Sequence, residues 1–89
     1  KDDLEIADRA ITRLVTVPLS PNTRAALISF VYNVGENNFA RSTLLKKLNS
    51  GDIIGACNEL PRWIYAKGQM LRGLIRRRAR ERQLCLKGT

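Results

Sequence analysis

Ser20-Pro21-Asn22-Thr23-Arg24-Ala25-Ala26-Leu27-Ile28-Ser29-Phe30-Val31-Tyr32-Asn33-Val34-Gly35 has a start, a stripe and a stop. Ser20 can accept from the free N–H groups of a first helical turn, and Pro21 suits the position after the cap because its missing N–H has no partner there anyway. Leu27, Phe30, Val31 and Val34 then recur at helical spacing, and Gly35 closes the element. This stretch predicts a buried, amphipathic helix.

Toward the N-terminus, Leu4, Ala7, Ile11 and Leu14 predict another helix. Asp2, Asp3, Glu5 and Asp8 lie near its start, where the helix dipole favours acids, and Val15-Thr16-Val17-Pro18 ends it. Toward the C-terminus, a short polar piece, Glu36-Asn37-Asn38, leads to Phe39. Ser42 is placed to cap a helix with Leu44, Leu45 and Leu48 inward, broken at Asn49-Ser50-Gly51. Asp52 caps the next, with Ile53, Ala56, Cys57 and Leu60 inward and Pro61 as its stop. A further turn carries Trp63 and Tyr65. After the break at Lys67-Gly68, Leu71, Leu74, Ile75 and Ala79 describe the apolar side of a last helix that extends to Cys85. No strand, repeat or linker is signalled. The expected fold is all-α, a compact bundle of about six helices in one domain over residues 1–89.

Bulk properties narrow the function. The 89 residues are 44% hydrophobic and 27% charged, as in ordinary soluble domains. The apolar runs are too short to span a bilayer, and Lys1-Asp2-Asp3 is not a signal peptide. Lys and Arg outnumber Asp and Glu by 16 to 8, giving +8 with no His. Arg76, Arg77, Arg78, Arg80 and Arg82 are opposed locally only by Glu81. Two readings of that segment stand side by side, a solvated helix face and a surface for an anionic partner, whether DNA, RNA, anionic lipid or the acidic polymers of a bacterial wall. Without His there is no Ser-His-Asp or Cys-His arrangement, and two cysteines cannot cage zinc, so no cofactor or metal is implied. Asp52 reads as a cap; Glu36, beside Tyr32-Asn33, is the one acid kept as a catalytic candidate.

Ser29-Phe30-Val31-Tyr32-Asn33-Val34-Gly35, Arg41-Ser42-Thr43-Leu44-Leu45, Asn49 to Asp52 and Pro61-Arg62-Trp63, in this order and followed by an Arg-rich helix, resemble the phage lysozyme family, the endolysins of lambdoid phages in particular. The resemblance implies a two-lobed muramidase that cuts the β-1,4 bond between N-acetylmuramic acid and N-acetylglucosamine, with the glycan strand in a cleft between lobes. It acts in the bacterial host's periplasm or wall during lysis, by an export route outside this chain. In that family a Glu is followed nine residues on by an Asp and six further by a Thr; nine after Glu5 here is Leu14, after Glu36 Leu45 and after Glu59 Gly68, while Glu81 lies too near residue 89. The family's Gly-rich, Thr-containing hairpin is absent too.

The expectation is therefore the helical lobe, with residues 1–17 as the inter-lobe helix and its exit, residues 18–89 as the lobe, no catalytic residue of its own, and the N-terminal catalytic lobe as partner. Tyr32, Asn33, Thr43 and Arg62 are the candidate glycan-binding residues. Tyr32 has the alternative of a half-buried core ring and Asn33 that of a helix cap, while Ser42 is read as a cap and Trp63 as core. Cys57 and Cys85 are either free buried thiols or, given the oxidising compartment the resemblance implies, a bridge between the fifth and last helices. The runner-up is a small basic helical module that binds nucleic acid through Arg76 to Arg82.

Overall fold

The computed structural model describes residues 3–89; Lys1 and Asp2, the latter counted above among the acids of the first helix, lie outside the described residues. Six α-helices follow one another: α1 (Asp3–Leu14), α2 (Pro21–Val34), α3 (Glu36–Ala40), α4 (Thr43–Asn49), α5 (Ile53–Cys57) and α6 (Arg72–Lys87). A 3-10 turn, Leu60–Arg62, and a two-stranded hairpin, β1 (Tyr65–Ala66) and β2 (Gln69–Met70), lie between α5 and α6.

α2 is the central element. Ser20 Oγ accepts from Thr23 N–H at 3.1 Å and Pro21 opens the helix. Thr23, Ala26, Leu27, Phe30 and Val31 are buried, at spacings that keep one face inward. α1 packs against α2 with Ala7, Ala10 and Ile11 buried, the two alanines small enough for close approach, and α6 packs against α2 as well. Leu4, expected inward, is 50% exposed, and Leu14 is only partly buried. Arg24 ties the first pair together by donating from Nε to Asp8 Oδ1 at 2.9 Å.

The capping predictions for α4 and α5 hold. Ser42 Oγ accepts from Leu45 N–H at 3.0 Å, and Asp52 Oδ1 accepts from Gly55 N–H at 2.9 Å. Leu44, Leu45 and Leu48, then Ala56, Cys57 and Leu60, are buried as expected. α5 ends at Cys57, ahead of Pro61, which instead sits in the 3-10 turn. Asn49, at the end of α4, clips the exit of α1, accepting from Thr16 N–H at 2.8 Å and donating to Leu14 O at 3.0 Å.

Three local expectations are corrected. Glu36-Asn37-Asn38 is not an irregular piece but the start of α3, whose one buried side chain, Phe39, gives no periodicity to read. Lys67-Gly68 is more than a break: with φ of 51° and 79° they make a two-residue hairpin turn, which pairs Tyr65 with Met70. The strands are two residues each, too short for alternation to signal them. α6 is turned away from its predicted face: Leu71 and Ile75 are 41% and 40% exposed, and the buried residues are Arg78, Glu81 and Cys85.

Candidate functional site

The inward face of α6 explains its rotation. Arg78, 1% exposed, has each edge of its guanidinium engaged: Nε donates to Trp63 O at 2.9 Å, Nη1 to Glu81 Oε1 at 2.7 Å, and Nη2 to Asn33 Oδ1. Its plane lies over Phe30, 5.1 Å from the ring centroid, where cation–π attraction adds to the packing. Glu81 uses its second oxygen to accept from Ser29 Oγ at 2.6 Å and from Arg77 Nε at 3.2 Å. Burial pulls the Arg78 pKa below its ordinary value, and the Glu81 carboxylate, by charge and by hydrogen bond, holds it back up. A buried charge is tolerated when paired and fully hydrogen-bonded, and among the described residues no buried side-chain polar atom lacks a partner.

This network determines how Asn33 faces solvent. Arginine has donors only, so the Asn33 atom turned toward it is the amide oxygen, and the NH2 remains to meet a ligand acceptor. The capping alternative for Asn33 does not apply, because the end of α2 is closed by Gly35 N–H bonded to Val31 O and by Asn38 Nδ2 donating to Val34 O at 2.8 Å. Asn33 stands between two open depressions and lines both. One, of about 420 Å³, lies between α1 and the end of α2 and includes Ile6, Val31, Tyr32 and Glu36. The other, of about 370 Å³, includes Asn38, Trp63, Tyr65, Leu74 and Arg78.

Tyr32 is half exposed in the first depression rather than a core ring. Trp63 packs edge-on to Phe30 at 5.3 Å between centroids, as a core residue does, while one side lines the second depression. Thr43 is exposed at the start of α4, and the Arg62 side chain is 78% exposed, 3.7 Å from Glu59 Oε1; neither lines either depression. The structure thus brings Tyr32 and Asn33 together and leaves Thr43 and Arg62 apart. Glu36 pairs with Arg13 and is partly exposed, without the apolar enclosure that suits a general acid.

Sequence reasoning missed Arg78 and Glu81, which it placed on a basic surface. The available signal was their spacing: Leu74, Arg78, Glu81 and Cys85 share one helical face, and a buried cysteine marks that face as inward. Cys85 is bridged to Cys57, with Cα atoms 5.7 Å apart, which fixes α6 to the end of α5. Of the five arginines from Arg76 to Arg82, three are taken up within the fold, Arg82 through Asn58 Oδ1 at 2.8 Å. That depletes the surface on which the nucleic-acid reading depends.

Helical packing around α2, capped short helices and a buried polar network define a helical, lysozyme-like fold. The phage lysozyme family model matches residues 1–81, and the chain belongs to that family. The SAR-endolysin of Bacteriophage PS119 is 52% identical over 97% of this chain and 52% of its own length. A P22 lysozyme mutant superposes with a TM-score of 0.86 at 39% identity, over 94% of this chain and 57% of the other. The muramidase domain of SpmX from Asticaccaulis excentricus gives a TM-score of 0.87 at 38% identity, over 94% and 60%. The chain spans about half the length of the curated relatives it matches.

Proposed function

We propose that this chain forms one wall of the glycan-binding cleft of a phage-type muramidase that acts on the peptidoglycan of the host wall. The observation that carries the reading is Asn33, exposed between two depressions, whose amide oxygen accepts from Arg78 and so leaves the NH2 to donate. A fixed amide donor suits a carbonyl such as that of an N-acetyl group, and fixing it in advance removes part of the ordering cost of binding. Tyr32 supplies an amphipathic ring beside it. α1 serves as the inter-lobe helix, and the catalytic carboxylates come from sequence outside these 89 residues, because hydrolysis needs two groups at a set separation and no acid here has the required companions.

The test is titration of Trp63 fluorescence with an N-acetylglucosamine–N-acetylmuramic acid oligomer. Weak binding is expected, in the millimolar range, since one wall supplies only part of the contacts. Asn33→Ala should weaken it about fivefold to tenfold, the net worth of a hydrogen bond. A chain that ignores the glycan, or that clears peptidoglycan alone and loses that activity on Glu36→Gln, would overturn the proposal.

A further inference from the structure

The opposite side of α6 bears a second surface. Successive helical residues are about 100° apart, so turning Arg78, Glu81 and Cys85 inward aims Arg72, Arg76, Arg80 and Lys87 directly away from the core. All four are exposed, and their side chains have no partner among the described residues. They form a row about 22 Å long at 1.5 Å rise per residue. Glu81, the helix's acid, is buried, so the outer face carries no negative charge. One flank of the row is apolar: Ile75 is 40% exposed, and at the helix start Leu71 is 41% and Met70 58% exposed. Beside Ile75 and Ala79 an open groove of about 420 Å³ is walled by Pro61 and Ile64.

From this juxtaposition we infer that the outer face of α6 docks on an anionic phospholipid surface. The arginines and lysine meet headgroup phosphates, while Met70, Leu71 and Ile75 enter the boundary between headgroups and acyl chains, as a basic amphipathic element lies on a bilayer. Charge complementarity selects an anionic partner, and the apolar flank selects lipid over nucleic acid. Against a phosphate backbone, those three side chains would be pressed on a polyanion, and the face offers only Gln83 as an amide for reading base edges. This surface is separate from Asn33, so the inference stands independently of the glycan proposal.

The 89-residue chain is sedimented with vesicles of equal parts phosphatidylglycerol and phosphatidylcholine, with pure phosphatidylcholine vesicles, and in parallel titrated onto duplex DNA across a salt series. Binding to the mixed vesicles alone is expected. The double substitution R76Q/R80Q should weaken it about 30-fold, near fivefold per cation. R41Q/K46Q, the same change of charge at exposed positions outside α6, should weaken it far less. Ile75→Ser should also lower vesicle affinity while leaving its salt dependence unchanged. Helical ellipticity is read in the same samples; if R76Q/R80Q loses helix, the two single substitutions carry the comparison. Equal losses from both charge pairs, indifference to Ile75→Ser, tighter binding to DNA than to vesicles, or no sedimentation at low salt would each overturn the inference.

Discussion

Replacing Glu81 with alanine takes from Arg78 the carboxylate bonded at 2.7 Å and from Ser29 the acceptor at 2.6 Å. Arg78 and Glu81 are 1% and 4% exposed, so water cannot take over. Breaking a buried pair by removing one partner costs about 3–5 kcal/mol, mostly the cost of leaving the other charge unpaired. A chain of this size has about 4–13 kcal/mol of stability in total. Each kcal/mol moves the melting point of such a domain by about 4–8 °C, so Glu81→Ala should lower it by about 12–40 °C. Glu81→Gln, which keeps one acceptor oxygen but sets an NH2 where the other stood, should fall between. The double substitution Arg78→Met with Glu81→Leu removes both charges and should be close to neutral or more stable, yet it frees Asn33 and so, on the proposed function, should weaken glycan binding by a chain that is still folded. Thermal and urea denaturation followed by helical ellipticity measure all three. A Glu81→Ala chain that melts within about 2 °C of the parent would show that the pair is solvated and refute the reasoning.

Reducing the Cys57–Cys85 bridge, which closes a separation of 28 residues, should lower stability by about 3.5 kcal/mol in the chain-entropy treatment; melts with and without reductant check it, and an unchanged midpoint would count against the bridge. At Gly55 an added Cβ would lie 2.0 Å from Asp52 Oδ2. Gly55→Ala should therefore cost about 1 kcal/mol through loss of the cap, where Gly to Ala inside a helix ordinarily gains about 0.5–1 kcal/mol; urea midpoints decide the sign.

Elements bounded by a side-chain cap and filled by an apolar stripe were legible in the sequence. α2, α4 and α5 each combine Ser20, Ser42 or Asp52 with inward residues at helical spacing, so local and tertiary preferences agree. α3 and the hairpin were not, since one buried Phe39 or two residues per strand leave no period to detect. The candidate site was legible in part. Tyr32 and Asn33 follow from the end of α2, whereas the separation of Thr43 and Arg62 from them depends on how α4 and the 3-10 turn pack, which spacing along the chain does not encode.

α6 shows why the reading failed where it did. Placing Leu71, Leu74, Ile75 and Ala79 inward follows from assigning apolar side chains to the core, a rule that assumes the polar alternative has no partner there. Arg78 has four partners: the Phe30 ring and Asn33 Oδ1 on α2, Trp63 O just after the 3-10 turn and, on its own helix, Glu81. Their convergence is a property of the folded chain. Once those bonds favour Arg78 inward, the fixed 100° step of the helix leaves Ile75 and Ala79 near the solvent side and sends Arg72, Arg76 and Arg80 fully outward. The rotation that lets Arg78 hold the Asn33 amide oxygen is therefore also the rotation that exposes an apolar flank beside a row of cations, and a substitution that restored the apolar-inward register would alter both surfaces together.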